Sequence, residues 1–566
     1  MNRLIGFVLA VVVVLVLAIG AISAVVIVRG GGGDDGEGQQ RPEATEATTE
    51  DGGNGDGGAV EGQLRMPGGD PITMDPALAA DADSATYIVE VFGGLVTIDP
   101  DLKIVPDIAS ELPTHENGGI LDNPDGTVTY TFNLRDDVVF HNTNRLVTAS
   151  DFKYSLERAL DPRTASTVAE AYLGDIVGAK DMSRGRAEEV RGIEAVDDFT
   201  LKITIDAPKP YFLAKLTYPT AFVVDRQQVE SNSRNWSRKP NGTGPYKMRE
   251  WRLGERITLE ANERYHLGAP SVETVSFVLS GGSALTMYEN DELDVAGIGF
   301  NDIDRVLDPT SDLNAEYVTG DNLSISYLGF NTQTEPFDDP KVRQAFANAI
   351  DREKIADAVL KDMLPVAEGI MMPGLPGYDP ESKSLAFDPE LARQLLEESK
   401  YGGADGLPDI TLTEVGLGAT VGFDTQAIVE MWKENLGVEV EIEQTEAATF
   451  FQDLDSGRLQ MFASGWIMDY PDPEDILDIH FHSQSRLNNT RYNNPEVDDL
   501  LEQARTEQNV EQRMSLYRQV ERVVIEEAVW APLFYSRDHV VVKPYVKGLQ
   551  FPPMVIPRLR HVTIEQ

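Results

Sequence analysis

Acidic residues gather directly after a strand-like run that begins at Met461. The apolar run gives way at Gly465 and Trp466 to a proline-rich turn, WIMDYPDP. The carboxylates of this turn and its continuation are Asp469, Asp472, Glu474 and Asp475. Ligands of α/β proteins favour strand ends, and a carboxylate there can neutralise a cation that would be costly to bury alone. This segment is therefore the candidate binding site. The alternative is that Asp469 and Asp472 only close turns beside the prolines.

The rest of the sequence offers no legible catalytic motif. It contains neither HExxH nor GxSxG, and its seven histidines suggest no triad. The stretch GTGPYK from Gly242 lacks the spacing of a phosphate-binding loop and predicts a turn between strands. His480 and His482 stand two apart, so a metal site on a strand face is a weaker alternative. We expect a binding protein rather than an enzyme, with no cofactor and no metal.

The composition argues against several classes of partner and chemistry. At 566 residues and 41% hydrophobic content, the chain can bury more than one core and is expected to form two or more domains. A formal net charge of −46, with no basic run, would repel nucleic acid. The absence of cysteine excludes disulfides, thiol nucleophiles, zinc–thiolate sites and a lipid attached through cysteine.

The N-terminus carries an apolar segment long enough to cross a membrane. Residues 4–28 are apolar or small, and a bilayer needs roughly 20 apolar helical residues. We therefore predict that residues 1–28 form a membrane anchor, with a cleaved export signal as the alternative. Residues 29–62 are rich in Gly, Glu, Asp and Thr and predict a disordered acidic tether.

Beyond the tether, the pattern is mixed α/β. Residues 128–134 and 201–205 alternate as strands, and Phe152 to Leu160 reads as a helix. From residue 388, helices and strands alternate regularly, which suits a sheet covered by helices. The predicted elements of this part are helix 389–400, strand 410–412, helix 424–436, strand 438–442, helix 450–455 and strand 461–463.

The segment from Tyr327 to Asp351 joins a short strand to a well-specified helix start. It reads YLGFNTQTEPFDDPKVRQAFANAID. Asp338 and Asp339 offer capping carboxylates before Pro340, which suits the first helical turn. Apolar residues then recur at helical spacing, and Asp351 can cap a second helix. Both predicted helices direct an apolar stripe toward a core.

This segment and four others occur in the order that a known family shows. The others are YTFNLR from Tyr130, GTGPY from Gly242, DELD from Asp291 and WIMDYPDP from Trp466. From about residue 74 to about residue 535, the chain resembles the extracytoplasmic solute-binding proteins of ABC importers. The resemblance is to the oligopeptide, dipeptide and nickel type, solute-binding protein family 5.

The resemblance implies an α/β, two-lobed fold of the periplasmic-binding-protein type, with a hinge and an extra small domain inserted in lobe one. By the family pattern, lobe one covers residues 63–322, with the small domain at about 103–225. Lobe two covers residues 323–533, and residues 534–566 return to lobe one. The protein would be an extracytoplasmic monomer, tethered to the membrane or exported, that serves an ABC permease and its ATPase subunits.

The resemblance also implies ligand-binding residues. Asp469 matches the carboxylate that pairs with the α-ammonium group of a peptide, Trp466 matches an aromatic residue of the same pocket, and Tyr470 is grouped with them. The favoured function is delivery of oligopeptides or dipeptides. A non-peptide solute (an oligosaccharide, a nickel chelate or an opine-like compound) and a membrane-tethered sensor are the alternatives. The stretch VFGGL from Val91 lacks a glutamate usual in the family, so no residue of lobe one is assigned.

Overall fold

The computed structural model describes residues 62–416 and 421–565. The predicted anchor, residues 1–28, and nearly all of the predicted tether lie outside the described residues. Within the two described ranges, no helix combines the length and apolar character that a membrane crossing requires.

The described chain alternates between strands and helices along its whole length. The strands are β1 Gln63–Pro67, β2 Val96–Ile98, β3 Ile104–Pro106, β4 Ile120–Asp122, β5 Val128–Asn133, β6 Ile193–Asp197, β7 Thr200–Ile205, β8 Tyr246–Arg252, β9 Arg256–Ala261, β10 Thr274–Val278, β11 Val295–Gly297, β12 Tyr317–Phe330, β13 Ile410–Val415, β14 Val440–Thr445, β15 Met461–Ile467, β16 Trp530–Val542, β17 Val546–Lys547 and β18 Thr563–Ile564.

The helices pack on these strands, and a π-helical turn at Glu474–Asp478 precedes α14. The helices are α1 Ala82–Val91, α2 Ala149–Leu160, α3 Ala169–Leu173, α4 Ala179–Ser183, α5 Phe212–Lys215, α6 Arg226–Ser231, α7 Ala284–Glu289, α8 Ile303–Leu307, α9 Pro340–Asn348, α10 Arg352–Ala358, α11 Pro389–Glu398, α12 Phe423–Leu436, α13 Ala447–Ser456, α14 Ile479–Phe481, α15 Pro495–Thr506 and α16 Val510–Glu526.

A six-stranded mixed sheet carries the candidate site. Its order is β11-β16-β12-β15-β13-β14, with β12 antiparallel to both β16 and β15, and β13 parallel to β15 and β14. Two four-stranded sheets, β1-β10-β9-β8 and β4-β5-β7-β6, lie in the N-terminal half. The helices α12 and α13 are the crossovers from β13 to β14 and from β14 to β15, which is the helix-strand repetition that the sequence predicts.

The long strands β12 and β16 run the length of the six-stranded sheet, and their pairing is interrupted in the middle. The register shifts between Asp321 and Ile325 of β12. There the N–H of Leu323 donates to the Pro553 carbonyl (2.8 Å), and the Leu323 carbonyl accepts from the N–H of Met468 (2.8 Å). The predicted lobe crossings, at residues 322–323 and 533–534, fall on these two strands. The predicted domain limits stay predictions.

The predicted strand alternation is confirmed in the sheet β4-β5-β7-β6. Val128, Tyr130 and Phe132 of β5 point into a core, as do Leu201 and Ile203 of β7. The predicted elements after residue 388 are also confirmed, with ends that differ by one to several residues.

Two local expectations are wrong. Strand β15 continues through Gly465 and Trp466 to Ile467, because β12 extends far enough to pair with it (Ser326 with Gly465, Ile325 with Trp466). The segment with His480 and His482 follows a π-helical turn and a short helix rather than forming a strand.

The predicted helix start at Pro340 is confirmed, and it gives a test of the fold. One carboxylate oxygen of Asp339 accepts the N–H of Lys341 (3.0 Å) and the other that of Lys400 (2.8 Å). Replacing Asp339 by Ala should lower the free energy of unfolding by about 1–2 kcal/mol, as measured by urea denaturation.

The matched control is Asp338→Ala, because the neighbouring carboxylate pairs only with the side chains of Lys400 and Tyr401 at the surface. This change should cost about 0–1 kcal/mol. Equal losses for the two variants would contradict the capping role of Asp339.

Candidate functional site

The candidate residues lie at and just after the end of β15, where this part of the chain meets residues from the N-terminal half. Asp469 follows the strand by two residues, and the chain then turns through Pro471 to Pro473 into the π-helical turn. Asp472 closes this turn, since one of its carboxylate oxygens accepts the N–H of Glu474 (3.0 Å). The same carboxylate pairs with Arg513 (2.5 Å), so the turn interpretation of Asp472 is confirmed.

Asp469 meets a tyrosine from the N-terminal half of the chain. Its side chain accepts a hydrogen bond from the hydroxyl of Tyr172 on α3. The residue is partly exposed. Burial of the carboxyl group raises the pKa of Asp469 to about 7, against the effect of the Tyr172 hydrogen bond, which lowers it.

Asp475 lies behind Asp469 and holds the loop in place. One of its oxygens accepts the backbone N–H of Asp469 (2.7 Å) and the indole N–H of Trp466 (3.4 Å). The other oxygen has no partner in the described structure, and the residue is 0% exposed. Burial, and then the negative charge of Asp469, raise the pKa of Asp475 well above its ordinary value.

The three predicted ligand-binding residues lie together, but they face different neighbours. Trp466 is partly exposed, and its ring meets the ring of His480 edge-on (4.3 Å between centroids). Tyr470 is completely buried and donates its hydroxyl hydrogen to Glu474. Asp469 and Trp466 therefore share Asp475 as a partner, whereas Tyr470 turns toward the interior.

Two aromatic residues that the sequence analysis did not single out complete this site. Tyr172 stacks on Tyr218, with 4.0 Å between ring centroids, and meets the edge of Tyr470 at 6.2 Å. The Tyr218 hydroxyl donates to the Ala79 carbonyl (2.9 Å). Both residues are buried tyrosines in apolar stretches, a pattern that indicates ordinary core, so no local signal distinguishes them.

A buried ion network joins the same two parts of the chain. Lys215 contacts Glu474 (2.7 Å) and Asp175 (3.2 Å), and Lys209 also contacts Asp175 (2.5 Å). The side chains of Lys215 and Glu474 are only 3% and 4% exposed. Burial raises the pKa of Glu474 to about 7, although Lys215 opposes this shift. Burial alone would raise the pKa of Asp175 too, but the two lysines hold it well below its ordinary value.

Sequence reasoning also missed Lys215, although a signal was present. A lysine within the apolar stretch FLAKLTYP must reach a carboxylate or solvent, because an unpaired ammonium group is costly to bury. The pattern does not identify the partner, which lies some 260 residues further along the chain.

Further contacts join residues 169–218 to residues 466–513, and we call these two segments the walls of the cleft. Arg486 pairs with Glu170 (3.2 Å), and the side-chain amide of Gln508 donates to the Pro208 carbonyl (3.0 Å). With the contact of Tyr172 to Asp469, these interactions place the walls in direct contact over the candidate site.

The two histidines near the site do not form a shared metal site. His480 faces the Leu487 carbonyl (3.2 Å), whereas His482 faces Glu502 (3.4 Å). Across residues 62–416 and 421–565, no group of three or more His, Cys, Asp or Glu side chains is arranged to hold a metal ion.

Comparison with known proteins gives a consistent match over most of the chain. The family described as bacterial extracellular solute-binding proteins, family 5 Middle, matches residues 103–488. The chain is 29% identical to the oligopeptide-binding protein OppA of Bacillus subtilis, over 85% of this chain and 89% of that protein. It is 30% identical to the periplasmic murein peptide-binding protein MppA of Escherichia coli, over 85% and 88%. It is 27% identical to heme-binding protein A of Haemophilus influenzae, over 84% and 88%.

Two solved structures of MppA match the fold, and they differ in how well they superpose on this chain. One MppA structure, 28% identical, gives a TM-score of 0.78 over 90% of this chain and 99% of MppA. The unliganded open form of MppA gives only 0.65, over 89% and 98%. The two-lobed fold is therefore established, and this chain superposes less well on the open form than on the other MppA structure. The contacts between the cleft walls agree with that difference.

The buried pair of Lys215 and Glu474 provides a test of how the walls are held together. Replacing Lys215 by Met should lower the free energy of unfolding by about 3 kcal/mol, because Glu474 would remain buried without its cation. Small-angle X-ray scattering should show a larger radius of gyration. The double variant Lys215→Met/Glu474→Gln should lose less stability than the sum of the single variants.

The control for this experiment is Lys383→Met. Lys383 pairs with Glu368 (3.1 Å), but both side chains are about half exposed, so its loss should cost about 0–1 kcal/mol. If Lys215→Met costs no more than Lys383→Met, the buried pair does not hold the walls together.

Proposed function

Because this chain belongs to the bacterial extracellular solute-binding proteins of family 5, we propose that it is an extracytoplasmic receptor for oligopeptides or dipeptides. It binds the peptide in the cleft between its lobes and delivers it to an ABC-type importer. The observation that carries the proposal is the position of Asp469. This partly exposed residue lies where the two walls meet, and no Lys, Arg or His in the described ranges is within ion-pair distance of its carboxylate.

The α-ammonium group of a peptide is the cation that suits this carboxylate. A charge-assisted hydrogen bond to Asp469 would be about twice as strong as a neutral one, and it would offset the loss of hydration on both sides. The Tyr172 hydroxyl already contacts Asp469 and so lies within reach of the same group.

Trp466 would line the space beside the ammonium group, because its ring is the partly exposed aromatic surface next to Asp469. Tyr470 would contribute its ring edge rather than its hydroxyl, since that hydroxyl is donated to Glu474. These roles rest on the family pattern and on the shared contact of Asp469 and Trp466 with Asp475.

Closure of the cleft would convert binding into a signal for the permease. A ligand that contacts both walls favours the closed arrangement by the free energy of those contacts. The interrupted pairing of β12 and β16 offers the hinge, since a few residues there can absorb the change in backbone angles. No covalent bond is made or broken. The N-terminal segment would keep the receptor near the permease, which would dock on the closed lobes.

A second candidate has support from one relative. The similarity to heme-binding protein A, over most of both chains, is nearly as high as that to OppA, so a non-peptide solute on the same fold is the alternative. In that case Asp469 would meet a different cation or a hydroxyl group.

Mass spectrometry of small molecules released by denaturing the purified protein tests the proposal. We expect a set of short peptides of mixed sequence. A single non-peptide species would retain the transport role but overturn the peptide assignment.

The role of Asp469 can be tested separately with a defined peptide. Replacing Asp469 by Asn should weaken the binding of trialanine by about 1.5–3 kcal/mol, measured by calorimetry, because the charge on the acceptor is lost. The asparagine can still accept the Tyr172 hydrogen bond, so the loop should keep its structure.

Two controls isolate the ammonium contact. Asp101→Asn changes an exposed carboxylate that lies far from Asp469 in the sequence, and it should leave the affinity for trialanine unchanged. N-acetyltrialanine lacks the cation, so Asp469→Asn should change its affinity little. An equal loss of affinity for both peptides would show that Asp469 does not bind the ammonium group.

A further inference from the structure

The carboxylates between residues 469 and 478 divide into two groups by their partners. Three of them have a cation of the chain within ion-pair distance: Asp472 with Arg513, Glu474 with Lys215 and Asp478 with Arg505. Within the part of the chain that the structure describes, Asp469 and Asp475 have none. Asp469 is the proposed ligand contact, and Asp475 lies directly behind it.

The two unpaired carboxyl groups are held next to each other. The Asp475 oxygen that accepts the N–H of Asp469 also fixes the indole of Trp466. The second Asp475 oxygen has no partner and no exposure to solvent. The negative charge of Asp469 acts on the buried Asp475 carboxyl group and adds to the effect of burial there. Two negative charges on one loop, one of them fully buried and without a cation, are unfavourable, as in other paired carboxyl groups.

We propose that the ligand-free protein holds a proton on the Asp469–Asp475 pair, and that the cationic head of the ligand displaces it into solvent on binding. This inference rests on the proposed function and adds the protonation state of its site. Asp475 is then a positioning residue, because the proton of the pair restricts binding at Asp469 to ligands with a cationic head. The upward pKa shifts of both residues, to about 7 for Asp469, agree with this geometry.

Among the residues of the two described ranges, no other titratable group around the pair offers a free cation. From α3 and the segment before Pro219 come the hydroxyls of Tyr172 and Tyr218. From the α14 side comes His480, which burial keeps neutral by lowering its pKa to about 4. The remaining neighbours are acidic or already paired: Asp81 near Tyr218, Tyr470 with Glu474, and Glu474 with Lys215.

The exchange of a proton for a ligand cation balances the charge of the site. Before binding, the pair carries one proton and one negative charge. After binding, it carries two negative charges, and the ligand ammonium, which keeps its own protons, neutralises one of them. Below the titration range of the pair, affinity for a cationic head should therefore fall by about tenfold per pH unit. A ligand whose head is neutral has no means of displacing the proton.

Calorimetry of the full chain in detergent, titrated with trialanine, measures this proton directly. At one pH, the dependence of the binding heat on the ionisation enthalpy of the buffer gives the number of protons released. We expect release of about one proton per trialanine near pH 6. Near pH 9 the carboxyl pair has no proton left to release, and the α-amino group of trialanine, with a pKa of about 8, must gain a proton to bind as ammonium, so the net result should be proton uptake. Binding of trialanine without proton release near pH 6 would overturn the inference while leaving the proposed function intact.

The isosteric variant Asp475→Asn separates the pair from a merely structural role. The asparagine oxygen can still accept both N–H groups that Asp475 accepts, so the loop should remain folded. Burial of Asp469 persists in this variant and keeps the pKa of its carboxyl group raised, so proton release near pH 6 should fall below the wild-type value without being abolished. The control variant Asp101→Asn should release as many protons per trialanine as the wild-type protein. Unchanged proton release in Asp475→Asn would contradict the proposal that the two carboxyl groups hold one proton between them.

A measurement without ligand keeps the inference testable if trialanine does not bind. Since folding raises the pKa of both groups, the native state binds more protons than the unfolded state between about pH 4 and pH 7, and stability due to the pair is lost as pH rises through this range. The midpoint temperature of Asp475→Asn, relative to wild type, should therefore be higher at pH 8 than at pH 5. An identical difference at both pH values would overturn the inference.

Discussion

The need to neutralise buried carboxylates determines how the two halves of this protein meet. Five acidic side chains occur between residues 469 and 478, and they are Asp469, Asp472, Glu474, Asp475 and Asp478. An ionised carboxylate cannot be buried unless a cation or hydrogen bonds compensate it. The α15–α16 hairpin provides two arginines for this purpose, and Lys215 provides the third cation from the opposite side of the cleft. The packing of the α15–α16 hairpin and the contact between the walls both depend on these pairs.

Contact between the walls and charge pairing depend on the same residues. Lys215 and Glu474 are almost fully buried, and their ion pair joins the two walls. Removal of either group would leave the other as an uncompensated buried charge, which is strongly destabilising. The Leu323 carbonyl, which accepts from Met468, connects the interrupted strand pair directly to the loop that carries Asp469.

Much of the fold could be predicted from the sequence, because its signals are local. The cap at Asp339, the start at Pro340 and the alternation after residue 388 depend on neighbouring residues, and the structure contains all of them. The predicted end of β15 was wrong because the length of this strand is set by its pairing with β12, which lies about 140 residues away in the sequence. The same limit applies to the site. The resemblance to a family indicated Asp469, but Tyr172 comes from a distant segment whose pattern indicates only core, and the pattern around Lys215 indicates a buried cation without identifying its partner.

Two electrostatic effects act on a cationic ligand, and they differ in range. The net charge of −46 creates a general attraction that raises the rate of encounter, and salt screens it over about 8–10 Å. The carboxyl groups of Asp469 and Asp475 act at short range, and Asp475 is fully buried, so salt screens them far less. The general attraction cannot discriminate between one cation and another. Discrimination must therefore arise at Asp469, where the charge of the ligand head competes with a proton for the same carboxylates.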